Sequence, residues 1–342
     1  MDMMFSRRLF LGAAASTAAA PAFARRGRRI VNPLVRQRAD AQIFRHSDGQ
    51  YYLTASVPEY DRLILRRAPT IAGLADAKEV VLWRRPAAGR MAGYIWAPEL
   101  HWIDGRWTMY FAAGDEDDKF RIRTYVLTHS GGADAFAGDW RLMGMLETPW
   151  DSFTLDATSC VHRGTRYLCW AQKEPGIDTN SNLYLAPLAT PTTLAAKPAR
   201  LSVPTLDWEV QGFKVNEGAA PLIRNGRIFM TYSASATDAR YCMGMLTARD
   251  DADLMDPAAW TKSPVPVFRS SPRNNVWGPG HNSFTVDEAG RDMLVYHARD
   301  YRDIVGDPLF DPNRHTRIQP IRYRADGTPD FGEPVRTGPP KG

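Results

Sequence analysis

The sequence predicts an all-β chain folded as a five-bladed β-propeller, and three features predict it. The first is a repeat. A glycine turn followed by an alternating apolar strand recurs at Gly49, Gly105, Gly164, Gly226 and Gly290. These turns are roughly 60 residues apart, room for about four short strands, which is one propeller blade. The second is composition: 11% aromatic residues with 26 Gly and 25 Pro suit many short strands and turns, and no long amphipathic helical stretch stands out. The third is size. A chain of 342 residues that is 44% apolar and 24% charged buries a full core, and one propeller uses nearly all of it.

Taken in order, the chain begins with a different kind of sequence. Arg7 and Arg8 open a moderately apolar, alanine-rich run that ends in Ala22-Phe23-Ala24. A charged start, an apolar middle and a small-residue cleavage site make residues 1–24 an export signal. The paired arginines before Leu9-Phe10-Leu11 resemble a twin-arginine signal, so the twin-arginine export machinery is the expected partner and a periplasmic or secreted protein the expected product. The run falls short of the ~20 residues a membrane span needs, and no cysteine follows the cleavage site, so no stable membrane anchor is expected. Residues 25–32 read as a flexible start and 33–336 as the propeller.

Within each repeat an apolar strand runs up to the glycine turn. Counting back nine, nine, eight, nine and nine residues from the glycines reaches Asp40, Trp96, Asp156, Glu217 and His281. If this strand is the innermost of its blade, all five residues converge on one mouth of the channel. The strand after the turn runs back to the same mouth. The segments that follow it, 56–62, 114–120, 173–181, 235–241 and 299–308, therefore crowd that opening. They are rich in carboxylates, amides, arginine and tyrosine, which suits a sugar with its hydroxyls and ring faces.

Charge and cysteine usage narrow the partners. The net charge of +5 resides in the N-terminal arginines; without the signal and the arginines at 25, 26, 28 and 29 the propeller is formally balanced. Nucleic-acid binding would need a basic face on the folded domain. Cys160, Cys169 and Cys242 make neither a disulfide framework nor a zinc site. A two-residue turn at Arg163-Gly164 sets Cys160 opposite Tyr167 and leaves Cys169 diagonal, so two buried thiols are expected rather than a bridge.

Acids at the start of interior strands are costly to bury unless they are paired or functional. Each alone could cap a backbone or meet an arginine; three at matching repeat positions point to chemistry. Two opposed carboxyl groups cleave a glycosidic bond when one, protonated, donates to the leaving oxygen and the other, ionised, activates water. A third near the acid raises its pKa by like-charge repulsion.

These residues resemble glycoside hydrolase family 43, five-bladed propellers acting mainly on arabinose- and xylose-containing polysaccharides, over roughly residues 30–335. Arg38-Ala39-Asp40 is similar to the family's general-base strand, and Ile95-Trp96-Ala97-Pro98-Glu99-Leu100 to its second-blade motif. Leu155-Asp156-Ala157-Thr158 resembles the segment whose acid tunes and orients the proton donor, and Asn216-Glu217-Gly218 the segment holding that donor. Gly278-Pro279-Gly280-His281 is similar to the segment whose histidine points into the channel, toward a calcium ion or water cluster. Arg314-His315-Thr316 resembles the late arginine that reaches substrate, with Arg317 a close rival. Many relatives have proline where Ala41 stands, a change that removes no reacting group.

The resemblance implies Asp40 as general base, Glu217 as general acid and Asp156 as the modulator of the acid, with Trp96, His281 and Arg314 binding substrate. It implies no required cofactor. A structural calcium at His281 would have to lean on water, since calcium prefers oxygen ligands. Segments 55–62 and 311–317 are most similar to α-L-arabinofuranosidases. The expected function is inverting removal of terminal arabinofuranosyl residues from arabinan or arabinoxylan fragments. The alternatives are a β-xylosidase or galactofuranosidase on the same scaffold, or a non-catalytic sugar-binding propeller. The motifs of the retaining fructan-cleaving propellers are missing from the sequence.

Overall fold

The computed structural model describes residues 29–338. Residues 1–24, read as an export signal, lie outside them. Among the described residues the only helical pieces are four short 3-10 turns. The strands form five antiparallel meanders, one per repeat, and a small ribbon of Arg322–Tyr323 with Pro329–Asp330.

The innermost strands are Ala39–Arg45, Ile95–Ile103, Thr154–His162, Asn216–Arg224 and Trp277–Val286, the strands expected to line the channel. Each packs against its ring neighbours, the first strand touching the second and the fifth. Blades one and four are therefore non-adjacent. The first four sheets have four strands and the fifth has three. The fourth place in blade five is taken by the chain's beginning. Val35 bridges Thr316, and the Asn32 side chain bonds both backbone groups of Ile318, at 2.8 and 2.9 Å. Asn32 also exchanges backbone bonds with Gly338 and is fully buried.

Successive strand residues point to opposite faces, and in a propeller both faces meet a neighbouring blade. Along Arg106–Ala113, Trp107, Met109 and Phe111 pack toward blade one with Leu63 and Leu65. Tyr110, between them, packs toward blade three with Leu168 and Trp170. Five apolar clusters result, one at each blade interface.

The cysteines sit as the turn geometry required. Cys160 pairs with Tyr167, Cys169 with Thr158, and all three thiols are free. Cys169 and Cys242 are buried while Cys160 is half-buried, and burial pushes the Cys160 thiol up to about 12.

Candidate active site

Every inner strand carries the same defect near its start. Between Ala39↔Ser56 and Gln42↔Thr54 the inner strand spends one residue more than its partner, a β-bulge, and the other four blades repeat it. The first residue inside each bulge has a left-handed backbone: Asp40 (φ 53°), Ala97 (45°), Asp156 (57°), Gly218 (57°) and His281 (42°). These five are the equivalent positions. Trp96 and Glu217, expected to share the position of Asp40, precede it by one. The slip has a plain cause: blades two, three and four turn in two residues at Asp104-Gly105, Arg163-Gly164 and Asn225-Gly226, whereas blades one and five use five-residue loops. At Gly218 a Cβ would lie 3.1 Å from the His281 ring, tighter than ordinary side-chain contacts.

The slip does not scatter the site. Asp40, Trp96, Asp156, Glu217, His281 and Arg314 all line one pocket of about 510 Å³. Asp40 is buried and heavily bonded. Ser56 Oγ donates to its Oδ2 (2.6 Å), Arg314 Nη1 to its Oδ1 (3.1 Å), and His297 Nδ1 lies 3.1 Å from the same Oδ1. Burial alone would raise its pKa, but the Arg314 and His281 charges and the His297 contact hold the carboxyl well below its usual range. Arg314 is fixed in turn by Tyr60, whose hydroxyl it meets at 2.9 Å. Arg317 is buried elsewhere against Asp300, Thr337 and the Val335 carbonyl. Arg314 is thus the arginine of this pocket.

Glu217 has the opposite environment. Burial and the negative charge of Asp156 push its carboxyl up to about 8, against the Tyr241 hydroxyl bond, which pulls it down. Asp156, raised to about 6 mainly by burial, accepts the Gly218 amide on Oδ2 (2.9 Å) and so ties the acid's own strand to blade three. His281 Nδ1 lies 3.5 Å from Asp40 and 3.7 Å from Asp156. Burial opposes its charging, yet those carboxylates outweigh it and raise the ring's pKa. The surroundings thus favour an ionised Asp40 and a protonated Glu217.

The walls are aromatic. Trp96 stacks on Tyr94 (5.6 Å, 13°) and meets Tyr60 and Phe120 edge-on, leaving its own indole N–H without a partner. Phe120, Phe153 and Phe213 also line the pocket, and a loop from blade five adds Asp307, Pro308 and Leu309.

The Glycosyl hydrolases family 43 profile matches residues 30–329. The chain belongs to this family. It is 54% identical over 310 residues to an extracellular exo-α-(1→5)-L-arabinofuranosidase of Streptomyces avermitilis, covering 90% of this chain and 64% of that protein. An enzyme of the same description from Streptomyces chartreusis is 56% identical, over 89% of this chain and 94% of its own length. Among solved structures, an α-L-arabinofuranosidase from Lactobacillus brevis superposes with a TM-score of 0.87 at 52% identity, covering 90% of this chain and 97% of that one. The chain thus spans about two thirds of the Streptomyces avermitilis protein and nearly all of the other two.

The calcium expected near His281 finds no matching donor set. Calcium takes six to eight oxygens. Among the described residues no group of three or more His, Cys, Asp or Glu is arranged to hold a metal, and the carboxylates beside His281 are engaged with Arg314, Ser56 and the Gly218 amide. Sequence reasoning missed several residues in or behind this family 43 pocket. Ser56, Tyr60 and Tyr241 lie inside segments placed at the mouth but were not singled out. His297 and Ser233 lie near the ends of second strands, where the chain has returned to the mouth, and that position was their available signal. Phe153 and Phe213 stand just before inner strands, on the same side.

Proposed function

We propose that the protein is an exported α-L-arabinofuranosidase that removes terminal arabinofuranosyl residues from arabinan- or arabinoxylan-type chains with inversion. The observation that carries this reading is that Asp40 and Glu217, on non-adjacent blades, line one sugar-sized pocket in opposite surroundings, Asp40 bonded by Arg314 and Ser56 and Glu217 buried near Asp156. Asp40, ionised, takes a proton from the attacking water as its oxygen bonds the anomeric carbon. Glu217 gives its proton to the glycosidic oxygen as that bond breaks. Asp156 raises the proton affinity of Glu217 and tethers its strand through the Gly218 amide. Only water is consumed, so no cofactor is called for. Trp96, with its apolar face in the pocket, His281 and Arg314 are suited to grip the sugar.

The reading of the sugar is supported by the arabinofuranosidases to which the chain is similar. Terminal attack is supported by the blade-five loop, which walls the pocket and is held by Tyr60 Oη to the Leu309 carbonyl (2.5 Å) and Arg299 Nη2 to the Pro308 carbonyl (2.8 Å). Export by the twin-arginine route is supported by Arg7-Arg8 and by the extracellular description of the Streptomyces relatives.

The test is a screen of aryl arabinofuranosides, xylopyranosides and galactofuranosides with the purified mature chain, followed by proton NMR in the first minutes of hydrolysis. Release from the arabinofuranoside, with the anomer opposite to the substrate's appearing first, is the expected result. Release from another sugar alone would replace the substrate. Early product of retained configuration would remove the single-displacement mechanism.

A further inference from the structure

Glu217 is held by a hydrogen bond from its own blade: the Tyr241 hydroxyl donates to its Oε1 (2.9 Å). Ser233 Oγ accepts the His281 backbone N–H (2.7 Å), which ties the inner strand of blade five to blade four.

The Tyr241 ring is immobilised around this task. It is 1% exposed and lies parallel to His297, at 5.6 Å and 3°. On the Gly280 side, a Cβ would fall 2.4 Å from its Cδ1 and Cε1. A Cβ on Gly278 would strike the Asp238 carbonyl, which accepts the Tyr241 amide at 3.1 Å. Both glycines of Gly278-Pro279-Gly280-His281 thus serve to seat the inner strand of blade five against Tyr241.

We propose that Tyr241 is a positioning residue that splits the work of the Glu217 oxygens: Oε1 is pinned by the phenol and Oε2 carries the proton that is delivered. This rests on Glu217 being the acid of the proposed reaction. Glu217 is faced by Asp156 from blade three, Asp40 from blade one, His281 from blade five and Tyr241 from its own blade. Of these, Tyr241 bonds it directly.

Tyr241→Phe keeps the ring and deletes the bond. Since a donor to a carboxylate favours its ionised form, the alkaline limb of kcat moves up by about half to one pH unit. On arabino-oligosaccharides kcat falls about tenfold or more, while a nitrophenyl arabinofuranoside, whose leaving group needs no proton, loses less than about threefold. Carbon-13 titration of the Glu217 carboxyl in wild type and Tyr241→Phe reads the same rise without turnover. Equal losses on both substrates with an unmoved limb, or an unmoved carboxyl titration, overturn the proposal. A wild-type protein inert on every arabinofuranoside removes the substrate reading instead, and the carboxyl titration still judges Tyr241.

Discussion

Replacing Glu217, the proposed acid, should make the protein more stable, and only above acidic pH. Glu217 is raised from an ordinary 4.5 to about 8, so the folded state binds its proton more tightly than the unfolded chain does. Below about pH 4.5 both states hold the proton and the group contributes nothing. Between there and about pH 8 the unfolded state has released it while the folded state has not, so stability falls as pH rises. At ~1.36 kcal/mol per tenfold in proton affinity, the ceiling is on the order of 5 kcal/mol. Part of Glu217 opens to the pocket, where solvent takes back some of the penalty, and Asp156 relaxes once its neighbour's charge is gone. About 2 kcal/mol is the expected gain for Glu217→Gln, which cannot ionise yet still accepts the Tyr241 hydroxyl. That corresponds to roughly 3–6 °C in Tm. Thermal unfolding of both proteins from pH 4 to pH 9 should show coincident midpoints at the acid end and a gap that opens toward pH 9. A gap independent of pH, or none at pH 9, would refute the assignment of Glu217 as a carboxyl strained by ionisation.

Three further outcomes are expected, two from the structure and one from the sequence. Gly218→Ala forces a Cβ to 3.1 Å from the His281 ring at φ 57°, so kcat should drop about tenfold or more and stability by about 1–3 kcal/mol, read by kinetics and urea unfolding. Asp40→Asn should abolish turnover of nitrophenyl and natural glycosides alike, because water activation is needed whatever leaves; activity retained on the nitrophenyl substrate would reassign the base. Changing Arg7 and Arg8 both to Lys should hold the precursor in the cytoplasm, as fractionation would show, whereas unchanged export would point to a general secretory route.

The fold and the convergence of the acids were legible because a repeat of glycine turns gives phase as well as number. Gly49 and Gly290 close loops three residues longer than those at Gly105, Gly164 and Gly226, so the same count lands on the left-handed residue in blades one and five and one short of it in blades two and four. In blade three the count of eight landed correctly on Asp156. Trp96 and Glu217 reach the pocket regardless, since they too lie on the bulge. What sequence could not supply is which polar side chains of the second strands close on the acids. Ser56, Ser233 and His297 read as ordinary strand residues, and their partners are drawn from other strands or other blades.

Asp40 stands five residues after Val35, whose pairing with Thr316 joins the two ends of the chain. The groups that hold Asp40 ionised, Arg314 and His297, arrive from the last blade. The carboxylate proposed as the base is therefore among the first parts of the propeller to be synthesised, and the groups that set its charge are among the last. A nascent or truncated chain carries an ordinary aspartate at that position, so on the proposed mechanism it is expected to be inactive until the final strand meets the first.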